Sequence, residues 1–152
     1  MRKNVELLFI TLSSPILIGV YEDTKLIDSV VSEEKSSDIL PKIFEEMLNK
    51  YNVKALFYSN GPGSFMAIKI AYIFLKSMSI LKNIPLFATD AFNFNENNPI
   101  KAIGKLYFVK VASEIETQKL EIAPVVSFSL PNVLDYNEFD KQNAPIYGIG
   151  AV

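Results

Sequence analysis

Apolar and polar positions along this chain alternate between two rhythms. Leu7-Leu8-Phe9-Ile10 is an unbroken apolar run, the pattern of a strand covered on both faces. Ser13-Ser14-Pro15 marks a turn, and Ile16 to Tyr21 forms a second strand-like run. Glu22-Asp23-Thr24-Lys25 reads as a polar hairpin connection, and Leu26 to Val31 as a third strand with weaker alternation. Three strands joined by short polar turns predict an antiparallel meander. The rhythm then becomes helical. Ile39, Ile43 and Met47 form one row, and Leu40, Phe44, Leu48 and Tyr51 an adjacent one. Glu45, Glu46, Asn49 and Lys50 make the polar side. Ser36, Ser37 and Asp38 offer helix caps, and Pro41 falls in or near the first turn, where proline is tolerated. One apolar row can sit on a sheet while the other meets a neighbouring helix.

Ala55-Leu56-Phe57-Tyr58 reads as a fourth strand. It stops at Asn60-Gly61-Pro62-Gly63-Ser64-Phe65, where glycines permit an unusual backbone path and Ser64 stands where a helix N-cap belongs. The following helix reaches about Lys82. Its only charges between Phe65 and Leu81 are Lys69 and Lys76, seven apart on one line. Met66, Tyr72, Ile73 and Ile80 flank the lysines, with Ala67, Ala71, Phe74 and Met78 opposite. A helix lying on one sheet needs a single apolar stripe. This one is apolar nearly all round, so a second covering surface is expected, either the chain's own or a partner protein's. The run falls short of the ~20 residues of a membrane span and contains two lysines, which argues against insertion.

Pro85-Leu86-Phe87-Ala88 is a short fifth strand. The order β-β-β-α-β-α-β, with a helix between strands four and five, predicts a right-handed parallel crossover. It matches the α/β, ribonuclease-H-like unit of the actin, sugar-kinase and Hsp70 class. The asparagine-rich stretch Phe92 to Pro99 reads as a connection. It divides an N-terminal domain, 1–92, from a reduced, mostly β part, 99–152. There, Ile103 to Val111 is strand-like, Leu120 to Ile122 alternates, and Val125 to Leu130 is a strand. Val133 to Asn143 is irregular or a short helix, and Ile146 to Gly150 a last strand.

Composition narrows the chemistry. At 152 residues and 49% apolar content, the chain can build a proper core. It has no histidine and no cysteine, which excludes Ser-His-Asp and Cys-His catalysis, disulfides and cysteine metal sites. A net charge of −2 without a basic run leaves no nucleic-acid footprint. Glu6 interrupts the N-terminal apolar run, so no signal peptide is read and a cytosolic protein is expected. The glycine loop could hold a phosphate on helix N–H groups, with Lys69 assisting, but it lacks the P-loop ending and is not GxGxxG. The first strand ends Ile10-Thr11-Leu12-Ser13 with no carboxylate. Glu33-Glu34 is an adjacent pair in a loop, and Asp28 and Asp90 stand isolated.

Asn60-Gly61-Pro62-Gly63-Ser64-Phe65-Met66-Ala67-Ile68-Lys69-Ile70-Ala71 resembles the signature GRGPGSFTGLRIG of the bacterial TsaB (YeaZ) family. Ile39-Leu40-Pro41 resembles the family's "ILP", Ile84-Pro85-Leu86 its next strand, Gly104 to Tyr107 its "GEVY" and Gly148 to Ala151 its "GNGA". Thr11 stands where the family's first strand has an acid, Ser36 or Ser37 where it often has histidine, and Lys69 in place of its arginine. The resemblance implies a ribonuclease-H-like protein with a shortened second domain, no catalytic centre and no cofactor. Its role would be formation of threonylcarbamoyladenosine in tRNA. It further implies pairing through the two N-terminal helices with a catalytic TsaD-like subunit, and contact with a TsaE-like ATPase. The expected interface is Ile43, Met47, Met66, Ile70, Tyr72 and Ile73, so that a charge at Met47 or Ile73 breaks pairing and leaves the monomer folded. Two other readings remain open: a small kinase or carbamoyl-transferring enzyme binding phosphate at Gly61 to Ser64, and a relative that only forms a homodimer through the same surface.

Overall fold

Val5 to Ile10 are all buried, within a strand β1 (Asn4–Ile10), as the unbroken apolar run requires. The computed structural model describes residues 2–122 and 127–147. The strands β2 (Ile16–Glu22) and β3 (Lys25–Ser32) complete the meander. The helix α1 (Ser36–Lys50) leads to β4 (Asn52–Ser59), then α2 (Phe65–Lys82) leads to β5 (Leu86–Thr89). β4 pairs parallel with both β1 and β5, and the sheet order is β3-β2-β1-β4-β5. Asp23 and Thr24, both at positive φ, turn the β2–β3 hairpin, as its two-residue loop demands.

The two-residue period of β1 divides the core. Val5, Leu7 and Phe9 face α1 and α2, packing with Leu40, Phe44, Met47 and Leu75. Leu8 and Ile10 face the opposite way, with Tyr21 and Phe57. Two details of α1 differ from expectation. Its N-cap is Lys35, without a side-chain cap, so Ser36, Ser37 and Asp38 lie inside the first turn. Asp38 there favours the helix dipole instead. Pro41 lies in the second turn, and the missing N–H leaves the carbonyl of exposed Ser37 to water.

Beyond β5, a short 3-10 turn (Ala91–Phe94) and the asparagine-rich connection lead to a three-stranded antiparallel sheet. Its strands are β6 (Ile100–Lys101), β7 (Leu106–Val111) and β8 (Glu114–Lys119). The strand expected from Ile103 thus starts at Leu106, because Ile103 to Lys105 form the turn out of β6, with Gly104 at positive φ. The strand near Leu120 lies earlier, at Glu114–Lys119. It is polar on both sides, with only Ile115 half-buried, so alternation could not reveal it. Ile100 and Phe108 pack on Leu12, Ile68 and Phe92, joining this sheet to the first.

Residues 127–147 run back over the free face of the large sheet. Phe128, Leu130, Leu134 and Phe139 pack against it. The Leu26 N–H donates to the Asn132 carbonyl at 3.0 Å, and the Leu134 N–H to the Thr24 carbonyl at 2.7 Å. Ala88 and Asp140 exchange backbone hydrogen bonds of 2.9 and 2.8 Å. Ser127 to Leu130 are irregular here, while Val125 and Val126 of that expected strand lie outside the described residues. Val133 to Asn143 has the expected irregular course with a 3-10 turn at Tyr136–Glu138. Of the last expected strand, Ile146 and Tyr147 are irregular and Gly148 to Gly150 lie outside the described residues, as does Ala151.

Two buried tyrosines hold this returning segment. The Tyr21 hydroxyl donates to the Pro131 carbonyl at 2.7 Å, and that of Tyr58 to the Asn143 carbonyl. Burial pushes both hydroxyls well above the ordinary tyrosine range, with Tyr72 and Tyr147 adding to the effect at Tyr58. The unfolded chain releases these protons near pH ~10 while the folded chain keeps them. Stability should therefore be level below pH ~10 and fall as pH rises above it. Urea unfolding from pH 7 to 11 checks this. The Tyr21→Phe/Tyr58→Phe double variant should lose about 1 kcal/mol per hydrogen bond at neutral pH and show a shallower alkaline fall.

Candidate functional site

The glycine loop joins the carboxyl end of β4 to α2, a position where α/β sheets place ligands. Ser64 is the N-cap of α2, as expected, though the Ala67 N–H reaches its Oγ only at 3.5 Å. Gly61 has φ +117°, and a Cβ there would lie 2.0 Å from the Ile146 carbonyl oxygen. The Asn60 carbonyl accepts from the Ile146 N–H at 2.6 Å, and the Gly61 carbonyl from the Ala91 N–H at 2.8 Å. The Asn60 side-chain amide donates to the Ala144 carbonyl at 3.0 Å. A Cβ on Gly63 would meet Leu12 at 3.3 Å. The loop thus touches the backbone at Ile146 and Ala91, and the side of Gly61 where a Cβ would stand is filled by the Ile146 carbonyl.

A cleft of about 360 Å³ lies beside the loop, at the ends of β4 and β5. Of the loop, only Asn60 lines it, with Thr89, Asp90, Glu138, Asp140 and Gln142. Asp90, isolated in the sequence, accepts from the Phe92 N–H at 3.0 Å and meets Lys110 at 2.6 Å in a mostly buried ion pair. Asp28 likewise has Lys50 at 3.6 Å, on the surface. Glu138 and Asp140 face the cleft with no cationic partner among the described residues. The cleft is therefore electronegative and ill-suited to a phosphate. No sequence signal points to it, because its walls come from β5 and from the irregular segment near Asp140, which lie far apart in the chain and share no motif. Among the described residues, no three acidic, histidine or cysteine side chains are grouped to hold a metal ion. Among the described residues, no helix is long and apolar enough to cross a membrane.

The six expected interface residues fall into three groups. Ile43 and Met47 are only 4% and 5% exposed, inside the core under α1. Both apolar rows of α1 turn inward, one onto the sheet and one toward α2 of the same chain, where the Phe44 and Phe74 rings meet edge-on at 5.6 Å. The charge expected to leave the monomer folded at Met47 would instead be buried. Ile70 and Tyr72 are half-buried, the latter stacked 6.3 Å from Tyr58. Met66 and Ile73 are exposed, at 59% and 55%. Ile80 and Leu81, at 70% and 72%, extend the same face. Their signal was the seven-residue spacing of 66, 73 and 80. α2 buries Ile68, Ala71 and Leu75 against the sheet and leaves this second apolar surface open.

The clamp on the glycine loop yields a contrast. Gly61→Ala should destabilise the fold by about 3 kcal/mol or more, from backbone strain and the clash with Ile146. Gly104→Ala, with nothing within 4 Å of the added Cβ, should cost only about 1 kcal/mol for its positive φ. Urea denaturation of the two variants distinguishes them.

No protein-family model and no curated protein matches this chain. Solved structures do. One is "YeaZ from Pseudomonas aeruginosa", 13% identical, with a TM-score of 0.59 over 82% of this chain and 67% of that one. Another is described as an uncharacterized protein with similarity to peptidase YEAZ from Pseudomonas aeruginosa, 14% identical. Its TM-score is also 0.59, over 80% of this chain and 69% of that one. With its five-stranded mixed sheet, its two helices and its small second sheet, the chain has a YeaZ-like, ribonuclease-H-like fold.

Proposed function

We propose that this chain is a non-catalytic scaffold subunit that binds a protein partner through the outer face of α2. In the setting implied by the TsaB resemblance, the partner is a TsaD-like catalytic subunit acting in threonylcarbamoyl transfer to tRNA adenosine, with a TsaE-like ATPase as third component. The observation that carries this reading is the exposure of Met66, Ile73, Ile80 and Leu81 on one helix whose other side is already packed. Large apolar side chains grouped on a surface mark interaction sites, and methionine is enriched at the centre of such contacts. The YeaZ-like fold and the signature-like loop agree with it. The interface on this reading is narrower than the sequence suggested, with α2 leading and α1 supporting it from behind.

A nucleotide-binding enzyme using Gly61 to Ser64 has less support, because Ile146 packs on that loop and the cleft beside it carries carboxylates. Saturable ATP binding by the isolated chain would favour it.

The test is to mix the chain with its cognate TsaD-like subunit and measure the mass of the complex. Wild-type chain should form a complex. Ile73→Glu should stay folded, within about 0.5 kcal/mol as for an exposed site, and lose the complex. Capture of Ile73→Glu at wild-type affinity would refute the proposal. Met47→Glu should instead unfold the chain, since an unpaired carboxylate would be buried under α1.

A further inference from the structure

The cleft at the ends of β4 and β5 holds polar groups that a scaffold role leaves unused. Its volume of about 360 Å³ is near the lower end of small-molecule sites. Open α/β sheets bind ligands at this end of their strands. Asn60 lines the cleft and is only 6% exposed. Its Nδ2 donates to the Ala144 carbonyl, which fixes the orientation of the amide. Its Oδ1, shielded from bulk solvent, then has no hydrogen-bond donor. The Oγ of Ser59, the preceding residue, is also buried without a partner. Ser59 pairs in register with Thr89, which lines the cleft, so their side chains stand on the same side of the sheet. Buried polar atoms are nearly always hydrogen-bonded. Two orphans at adjacent residues beside an open cleft point to a bound group.

The other lining residues define what that group must be. Both oxygens of Asp90 are spent, Oδ1 on the Phe92 N–H and Oδ2 on Lys110, which also neutralises it. The Thr89 hydroxyl accepts from the Asn93 side-chain amide. Asp140 Oδ1 accepts from the Gln142 N–H at 2.9 Å, which leaves its Oδ2. The unspent groups are therefore acceptors: the Asn60 oxygen, Asp140 and Glu138. A ligand here has to bring donors and positive charge. A divalent cation fits poorly, since no three acidic side chains are grouped to hold one among the described residues. A guanidinium brings five donors, an ammonium three, and three acceptors match the ammonium.

We infer that this cleft binds the primary ammonium group of a small organic amine, held by the carboxylates of Glu138 and Asp140 and by the side-chain oxygen of Asn60. Its walls come from β5 and the segment that covers the sheet, not from the outer face of α2. The site is therefore independent of the scaffold reading.

The experiment titrates the full chain with putrescine at fixed ionic strength and follows amide NMR signals. Saturable shifts should centre on the Asn60 side-chain amide, Thr89 and Asp140. Butanediol, the uncharged counterpart, should leave these signals in place. Glu138→Gln/Asp140→Asn should bind putrescine about tenfold more weakly, as for loss of hydrogen bonds to a charged group. Both positions are exposed, and asparagine keeps the Oδ1 that accepts from Gln142, so the remaining signals should stay put. Should the double variant fail to fold, Glu138→Gln alone should weaken binding about threefold. Equal shifts with butanediol, saturation of the same signals by magnesium chloride alone, unchanged affinity in the variants, or no saturable putrescine binding would each overturn the inference.

Discussion

A parallel pairing buried on both faces governs this molecule. β1 sits between antiparallel β2 and parallel β4, and its side chains are buried on either side. Both faces must therefore be covered, or rows of Leu, Ile and Phe would meet water. The two helices cover one face only. The other is closed by an irregular, extended segment, residues 127–147, pinned by backbone hydrogen bonds to the β2–β3 turn, to β5 and to the glycine loop. Each such bond is worth about 1 kcal/mol net. The apolar side chains Phe128, Leu130, Leu134 and Phe139 supply the burial that the bonds alone would not.

This way of closing the sheet explains local features that look functional in isolation. Gly61 and Gly63 resemble a phosphate loop, yet the returning backbone at Ile146 fills the place of a Gly61 Cβ, and Leu12 crowds that of Gly63. Gly19 is crowded as well: an added Cβ would lie 2.7 Å from the Tyr21 ring and 3.2 Å from Leu130 of the same segment. Even buried Glu6 is accounted for, since the Tyr136 hydroxyl donates to its carboxylate across the covered face. The same segment builds one wall of the acidic cleft. Cover and cleft are thus one piece of chain.

α2 differs from α1 in how completely its own chain satisfies it. α1 is amphipathic, and its wide apolar face finds both the sheet and α2. α2 is apolar on two sides and finds a partner for one. Its exposed ridge, edged by lysines, is where function is most economically sought, because nothing in the fold requires it to be apolar.

The sequence by itself determined the seven main elements of the large sheet and its helices. It did so through signals local in the chain: alternation of two, rows of three and four, the hairpin turn at Asp23-Thr24, and Ser64 as a cap. It also determined that α2 carries more apolar surface than one sheet can cover. Tertiary structure alone decided which apolar rows are spent. Ile43 and Met47 look like Met66 and Ile73 in the chain, and differ only in whether a sheet lies beneath them. It also decided the course of 127–147, whose bonds join residues far apart in sequence and follow no period, and the position of β8, whose two faces are both polar. Periodicity records that a side chain prefers to leave water; which neighbour receives it depends on contacts the chain makes only when folded.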